Sequence, residues 1–342
     1  MIIRLRPRAL PRPHVHRFVT GRGGRPPRPA GRPLTVRSSV ATGRRPGAHR
    51  KPGLVRRPAA LAERVEQAHV LDPVIRRLSD GVVRALPTGP RADALHGVPF
   101  GQPAHPALVR LPLGCWTSAV LLDLIPGTDR ASRVLIGAGL AGTVPTAATG
   151  LADWSALHTD QQRVGLVHAV CQGGAAALFL GSLAARVGGR PGYGRLLSGL
   201  GLAVATAGSY LGGHLALRLG AGASHAEPVG HLSGLGWHDL CAIGDLPDRR
   251  PVRRQLGYLS LLVYRQGSEV SVLSDRCSHL GGPLHQGRIV VERGTACVAC
   301  PWHGSTFVIA DGVVVHGPAT ARQPAFETRV TADGRVELRP RP

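Results

Sequence analysis

Four apolar stretches of about 20 residues follow one another closely: Pro106 to Ile125, Ala131 to Gly150, Val164 to Ala184 and Leu196 to Leu217. At about 1.5 Å per residue each is long enough, as a helix, to cross a hydrocarbon core about 30 Å thick. They predict a four-span α-helical membrane bundle. Their interiors, such as GAGLAGTVPTAATG and SGLGLAVATAGSYLGG, are rich in Gly, Ala, Ser and Thr, as expected where helices approach closely without a hydrophobic drive between them. The alternative is a buried soluble bundle. Arg110 and Asp123 weaken the first span, but each stands within about a turn of a membrane edge and can snorkel.

Charge does not contradict a bilayer. The chain of 342 residues carries a formal net charge of +22, which by itself suggests nucleic acid. Residues 1 to 57 hold 16 of the basic side chains and no acid, leaving a net +6 for the rest. That segment is dominated by Arg, Pro and Gly and lacks an apolar run, so it reads as a disordered leader. Lys51 is the only lysine, so the excess of Arg reflects composition rather than a binding patch, and nucleic acid is not expected as a partner. No signal-peptide core or twin-arginine pattern follows it. Residues 58 to 100 read as an amphipathic helix and linker. Asp72-Pro73 opens the helix, with Asp72 as N-cap and Val74, Leu78 and Val82 on one stripe.

The runs His96-Gly97, His105-Pro106-Ala107-Leu108-Val109, Leu122-Asp123-Leu124, Thr149-Gly150-Leu151-Ala152-Asp153-Trp154 and Tyr210-Leu211-Gly212-Gly213-His214-Leu215 resemble a family of bacterial four-helix membrane domains of unassigned function, over roughly residues 85 to 222. The resemblance supports a multi-pass bacterial membrane protein and implies no chemistry. Four spans put both termini on one side and bring His105, His168 and His214 to one membrane level. Such imidazoles are candidates for binding haem or quinone, and equally for hydrogen-bonding neighbouring helices, because no spacing motif accompanies them.

Past a linker at 223 to 235, the last third changes to short β-type runs, including Tyr258 to Tyr264, Val270 to Leu273, Phe307 to Ile309 and Val313 to Val315. These predict a small antiparallel β domain. Within it lie Cys277-Ser278-His279 and, after twenty intervening residues, Cys300-Pro301-Trp302-His303. Two Cys and two His in paired loops suit a [2Fe-2S] centre, two thiolates on one iron and two neutral imidazoles on the other. Gly281, Gly282 and Gly304 permit the tight turns and close backbone approach such loops need. Spacing alone leaves zinc open, because Cys297 and Cys300 form a CxxC that with Cys277 and His279 makes a tetrahedral Cys₃His set.

The order CSHLGGPL, CPWHGSTF, DGVVVHGPA, DGRVEL resembles the Rieske domain family from about Gly236 to the C-terminus, residues 236 to 342. It implies one [2Fe-2S] cluster per chain, held by Cys277, His279, Cys300 and His303, and leaves Cys115, Cys171, Cys241 and Cys297 as small apolar side chains. The spacer of twenty residues exceeds the family's usual one, which predicts a longer hairpin through Arg288 to Ala299. Rieske subunits of cytochrome complexes carry a disulfide between the two loops. Here Gly282 and Trp302 take its places, so the pattern resembles the soluble ferredoxins and a reducing compartment. Ser305 stands at a hydroxyl position expected to tune the cluster, and Phe307 stands where high-potential centres have Tyr. An intermediate potential follows, and a midpoint above about +250 mV would contradict it.

The expected function is that of a membrane-anchored carrier of single electrons between redox partners, a protein or a quinone; it would be an electron-transfer component rather than a stand-alone catalyst. Only 39 residues follow His303, too few for an oxygenase catalytic domain. The alternatives are a haem- or quinone-linked bundle gated by the Rieske domain, and a structural zinc module on a membrane scaffold. The Arg-bearing connections after the first and third spans favour those loops inside. The basic N-terminus, the missing disulfide and the absence of an export signal point the other way, to a cytoplasmic Rieske domain. Oligomeric state leaves no mark in the sequence.

Overall fold

The structure, a computed structural model, describes residues 57–229 and 234–341. The basic leader, apart from Arg57, and residues 230–233 of the linker lie outside the described residues.

Three short helices come first: α1 (Arg57–Glu66), α2 (Asp72–Ala85) and α3 (Pro90–His96). Asp72 is the first residue of α2 rather than its cap, with Pro73 in the first turn. Its carboxylate accepts instead from Arg163, at 2.7 and 3.0 Å. The buried stripe of α2 is also offset from the expected one. Ile75 is buried, whereas Val74 and Leu78 are exposed.

The bundle follows as α4 (Ala104–Leu108), α5 (Arg110–Leu122), α6 (Asp129–Ser155), α7 (Thr159–Val187) and α8 (Pro191–Leu217). Among the described residues three helices, α6, α7 and α8, are long and apolar enough to cross a membrane. The span expected over Pro106 to Ile125 is divided between α4 and α5, and Pro106 and Pro112, which lack a donor N–H, fall inside it. Much of the apolar surface faces outward, as at Val134, Val144, Val170, Leu180 and Leu196, where a soluble bundle would be polar. The core is small: Trp116 stacks on Phe179 at 4.4 Å between ring centres, surrounded by Ala119, Ile136, Ala175 and Ala205.

Buried arginines bracket α7. Near its start Arg163 binds Asp72, the Glu66 carbonyl and His69. Near its end Arg186 binds Asp123 and Asp129. The two stand roughly 35 Å apart along the helix at about 1.5 Å per residue, the separation that keeps both charges at the edges of a hydrocarbon core.

The last part holds ten antiparallel strands in two sheets, and the chain adds to both sheets in turn. β1 (His238–Ala242), β2 (Val252–Leu256), β3 (Leu259–Gln266), β4 (Glu269–Ser274), β9 (Ala325–Val330) and β10 (Arg335–Pro340) form one, in the order β1-β10-β9-β4-β3-β2. β5 (Arg288–Glu292), β6 (Thr295–Ala299), β7 (Thr306–Val308) and β8 (Val314–His316) form the other. β5 and β6 are the expected hairpin, paired from Arg288↔Ala299 to Glu292↔Thr295. Its two turn residues, Arg293 and Gly294, both have positive φ, the geometry that matches strand twist in a two-residue turn. One core, around Leu259, Leu261, Val272, Phe326 and Leu338, serves the larger sheet. A second, around Leu262, Leu273, Leu284, Val298 and Phe307, contains Cys277 and Cys300.

Candidate metal centre

Two loops at one end of the smaller sheet carry the four sequence-predicted ligands. They are built alike. Cys277 N–H donates to the Gly282 carbonyl and Gly281 N–H donates back to the Cys277 carbonyl; Cys300 N–H donates to the Ser305 carbonyl and Gly304 N–H to the Cys300 carbonyl. The returning residue is in each case a glycine at φ 76°, a left-handed conformation that an L side chain resists. Each loop therefore presents one cysteine at its base and one histidine part-way round. Buried Gln323 braces the first loop, its amide donating to the Ser274 and Arg276 carbonyls and its oxygen accepting from Ser278 N–H.

The two buried thiols interact. Their interaction and burial push the Cys277 thiol well up, and the same interaction pulls Cys300 down to about 7. The His279 and His303 rings stand 5.1 Å apart and nearly perpendicular. Burial, with His303 and three further imidazoles nearby, holds His279 at about 3, and burial followed by His158 lowers His303. Both rings are neutral and keep a lone pair. His279 Nδ1 is buried without a hydrogen-bond partner, a deficit that a metal bond removes. A Cβ at Gly282 would come within 2.9 Å of Cys300 Sγ and 3.0 Å of the Trp302 ring, so this position leaves room at the thiolate. Two thiolates, two neutral imidazoles and an orphaned ring nitrogen fit a mixed Cys/His cluster.

Zinc does not fit. Among the described residues no three His, Cys, Asp or Glu side chains are grouped to hold one metal ion. Cys297 sits in the β6 core with Sγ donating to the Thr295 carbonyl at 3.6 Å.

Ser305 is fully buried and its Oγ accepts the Ala319 N–H at 3.0 Å, which leaves the hydroxyl proton free for a second bond. Ser305→Ala is expected to lower the midpoint potential by about 40–60 mV, the loss of one hydrogen bond of about 1–1.5 kcal/mol in a one-electron couple. Film voltammetry of the two proteins reads the difference. Gly282→Ala is expected to strain the loop by about 1–3 kcal/mol, read as lower iron content and faster loss of colour to a chelator.

Helical segments cover the histidine edge of the centre. His158, the N-cap of α7, lies 5.9 Å from the His303 ring and 5.4 Å from Trp302. His96 bonds Asp153 at 2.9 Å, and Asp93 accepts from Gly317 N–H and pairs with His316, both at 2.9 Å. His225 N–H donates to the Ser278 carbonyl. An open cleft of about 500 Å³ runs between these elements, lined by Leu86, Leu95, Ala152, Trp302, His303 and Pro318 among others. Sequence reasoning missed Asp93, His158 and His225, which have no motif and are placed by contacts far apart in the chain, and it gave His96, part of the membrane-domain resemblance, no role at the centre.

The three bundle histidines do not all converge. His105 and His168 face one another, 6.4 Å between ring centres. His214 instead pairs with Glu66 of α1 at 2.5 Å.

Comparison with known proteins agrees with this geometry. Residues 101–225 match the family described as Predicted membrane protein (DUF2231), and residues 236–327 match Rieske [2Fe-2S] domain. The anthranilate 1,2-dioxygenase ferredoxin subunit of Burkholderia cepacia is 34% identical over 102 residues, 30% of this chain and 90% of that one. A human Rieske domain-containing protein is 31% identical over 74 residues, 22% of this chain and 46% of that one. Among solved structures, the Sphingomonas yanoikuyae B1 ferredoxin is 28% identical with a TM-score of 0.27, covering 31% of this chain and 100% of that one. The paired loops thus lie inside the Rieske match, the ferredoxin subunit of Burkholderia cepacia is shared over 90% of its own length, and through this domain the chain belongs to the Rieske [2Fe-2S] family and binds a [2Fe-2S] cluster.

Proposed function

We propose that the protein is a membrane-anchored Rieske electron carrier, in which Cys277 and Cys300 hold one iron, His279 and His303 hold the other, and the cluster passes single electrons between redox partners. The observation that carries the reading is the pair of matched loops with the orphaned His279 Nδ1. The ferredoxin subunit of a dioxygenase among its relatives supports one-electron traffic with a partner protein. The DUF2231 match and three apolar helices support the anchor. In this reading α4 and α5 together make a fourth span, so that the domains are a leader at 1–57, a linker helix region at 58–100, a four-span bundle at 101–222, a linker at 223–235 and the Rieske domain at 236–342. The Rieske domain lies on the cytoplasmic side.

The cleft favours one further partner. Its partly apolar walls and the His303 edge suit a quinone-sized molecule.

Electron paramagnetic resonance of the reduced full-length protein in membranes tests the reading. A rhombic signal with average g below the free-electron value, together with equal iron and acid-labile sulfide, is the expected result. Zinc without sulfide would sink it. Protease access to the C-terminal domain in inside-out against right-side-out vesicles tests the orientation.

A further inference from the structure

We infer that the seam between the α5/α6 and α7/α8 helix pairs is a haem site, with His105 and His168 as its two axial ligands. The bundle is two closely packed pairs that touch each other more sparsely. One imidazole enters the seam from α7 of the second pair, and the other from α4, which packs on α6 of the first. His105 on α4 bonds the Thr146 carbonyl of α6 through Nδ1 at 2.9 Å, and His168 on α7 bonds the Gly208 carbonyl of α8 through Nδ1 at 2.7 Å. A carbonyl oxygen only accepts, so in both rings Nδ1 carries the proton and Nε2 keeps its lone pair. This is the arrangement by which backbone carbonyls fix a metal-ligating histidine.

The rings meet at 6.4 Å between centres with planes 86° apart. Two imidazoles bonded to opposite sides of one metal at about 2 Å each put their centres roughly 6 Å apart. Both rings are seated against glycines, where an added side chain would push on the imidazole. A Cβ at Gly150 would come within 2.8 Å of His105, and one at Gly212 within 3.0 Å of His168.

The kind of ligand follows from what is missing around the pair. A bare structural or hydrolytic ion asks the protein for three or four ligands, and among the described residues no third His, Cys, Asp or Glu joins these two. An iron porphyrin brings four nitrogen donors of its own and asks for two axial imidazoles. It is flat, apolar over most of its area, and suited to a seam between small-residue helices. His168 lies roughly 15 Å along α7 from His158 at about 1.5 Å per residue, and His158 touches the cluster ligand His303. The site would therefore lie on the cluster's side of the bundle.

The test is haemin titration of the full-length protein in detergent, followed by absorbance and by magnetic resonance of the ferric form. Expected are saturation at one haem per chain, a low-spin two-imidazole signal in the unaltered protein, and its loss in both His105→Ala and His168→Ala. Added imidazole should restore it in either variant. His214→Ala should bind as the unaltered protein does, because His214 is engaged by Glu66. The Rieske signal, recorded on the same samples, reports folding and stands or falls separately. No Soret shift in monodisperse protein with an intact Rieske signal would overturn the inference. So would binding that survives both substitutions, or copper retained by the pair in place of haem.

Discussion

Cys300→Ser is expected to abolish the Rieske signal and the visible colour altogether, with iron and acid-labile sulfide falling to background, while Cys297→Ser leaves both unchanged. The two cysteines are three residues apart and both buried, so exposure does not separate them; placement does. Cys300 closes the second loop, its N–H on the Ser305 carbonyl and its thiol against Cys277. Cys297 lies inside β6 opposite Val308, facing no imidazole. A serine hydroxyl at 300 is a far weaker iron ligand than a thiolate, and one lost thiolate releases the iron it shares with Cys277. The larger sheet should survive, because its core around Leu259, Val272 and Leu338 is separate from the core containing the two cysteines. Far-ultraviolet circular dichroism should therefore change little. Equal loss of colour in the two variants would show that Cys297 is a ligand and would revive the Cys₃His reading.

The cluster loops were the most legible part of the chain because their chemistry is local. A cysteine, a histidine two or three residues on and a glycine after it fold the same way twice, with the hydrogen bonds closed inside each loop. The long apolar helices were legible for a similar reason, since length and composition are properties of the segment itself. The first span was less so: prolines at 106 and 112 divide an apolar run into α4 and α5. Contacts made across the chain left no trace. Nothing local says that Asp72 binds Arg163 rather than capping α2, that His214 is taken by Glu66 while His105 finds His168, or that His158 lies under the cluster. The stripe of α2 was misread because the face that packs is chosen by Arg163 and the bundle, which an isolated helix pattern does not contain.

The second large effect is expected at the far end of the bundle. Arg186 is completely buried in side chain and touches every long element there: Asp123 after α5 at 2.9 and 2.5 Å, Asp129 of α6 at 2.8 Å, Ser182 one turn back on α7 and Ser198 of α8, each at 3.2 Å. Ser198 donates to Asp123, and Ser182 donates to the Gly194 carbonyl. A charge without water is tolerated only when paired and fully hydrogen-bonded, and here five bonds from one guanidinium meet two carboxylates and two hydroxyls. Arg186→Leu leaves the buried Asp123 without a cation and Asp129 with Arg133 alone, at 3.2 Å, and should cost about 3–5 kcal/mol of bundle stability, the loss typical of breaking a buried pair from one side. Lysine supplies the charge but not the planar fork that reaches both carboxylates, so Arg186→Lys should recover only part of it. Removing both sides at once is the informative control. Arg186→Leu combined with Asp123→Leu removes both members of the buried pair, leaves Asp129 with Arg133, and should be less damaged than Arg186→Leu alone. Detergent-resistant thermal unfolding of the purified protein, followed by helical circular dichroism, ranks the variants. The Rieske signal should persist in all of them, because Arg163, Asp72 and His158 stand at the opposite end of α7 from Arg186. A double variant as unstable as the single one would mean that the network contributes shape alone and that its charges are incidental.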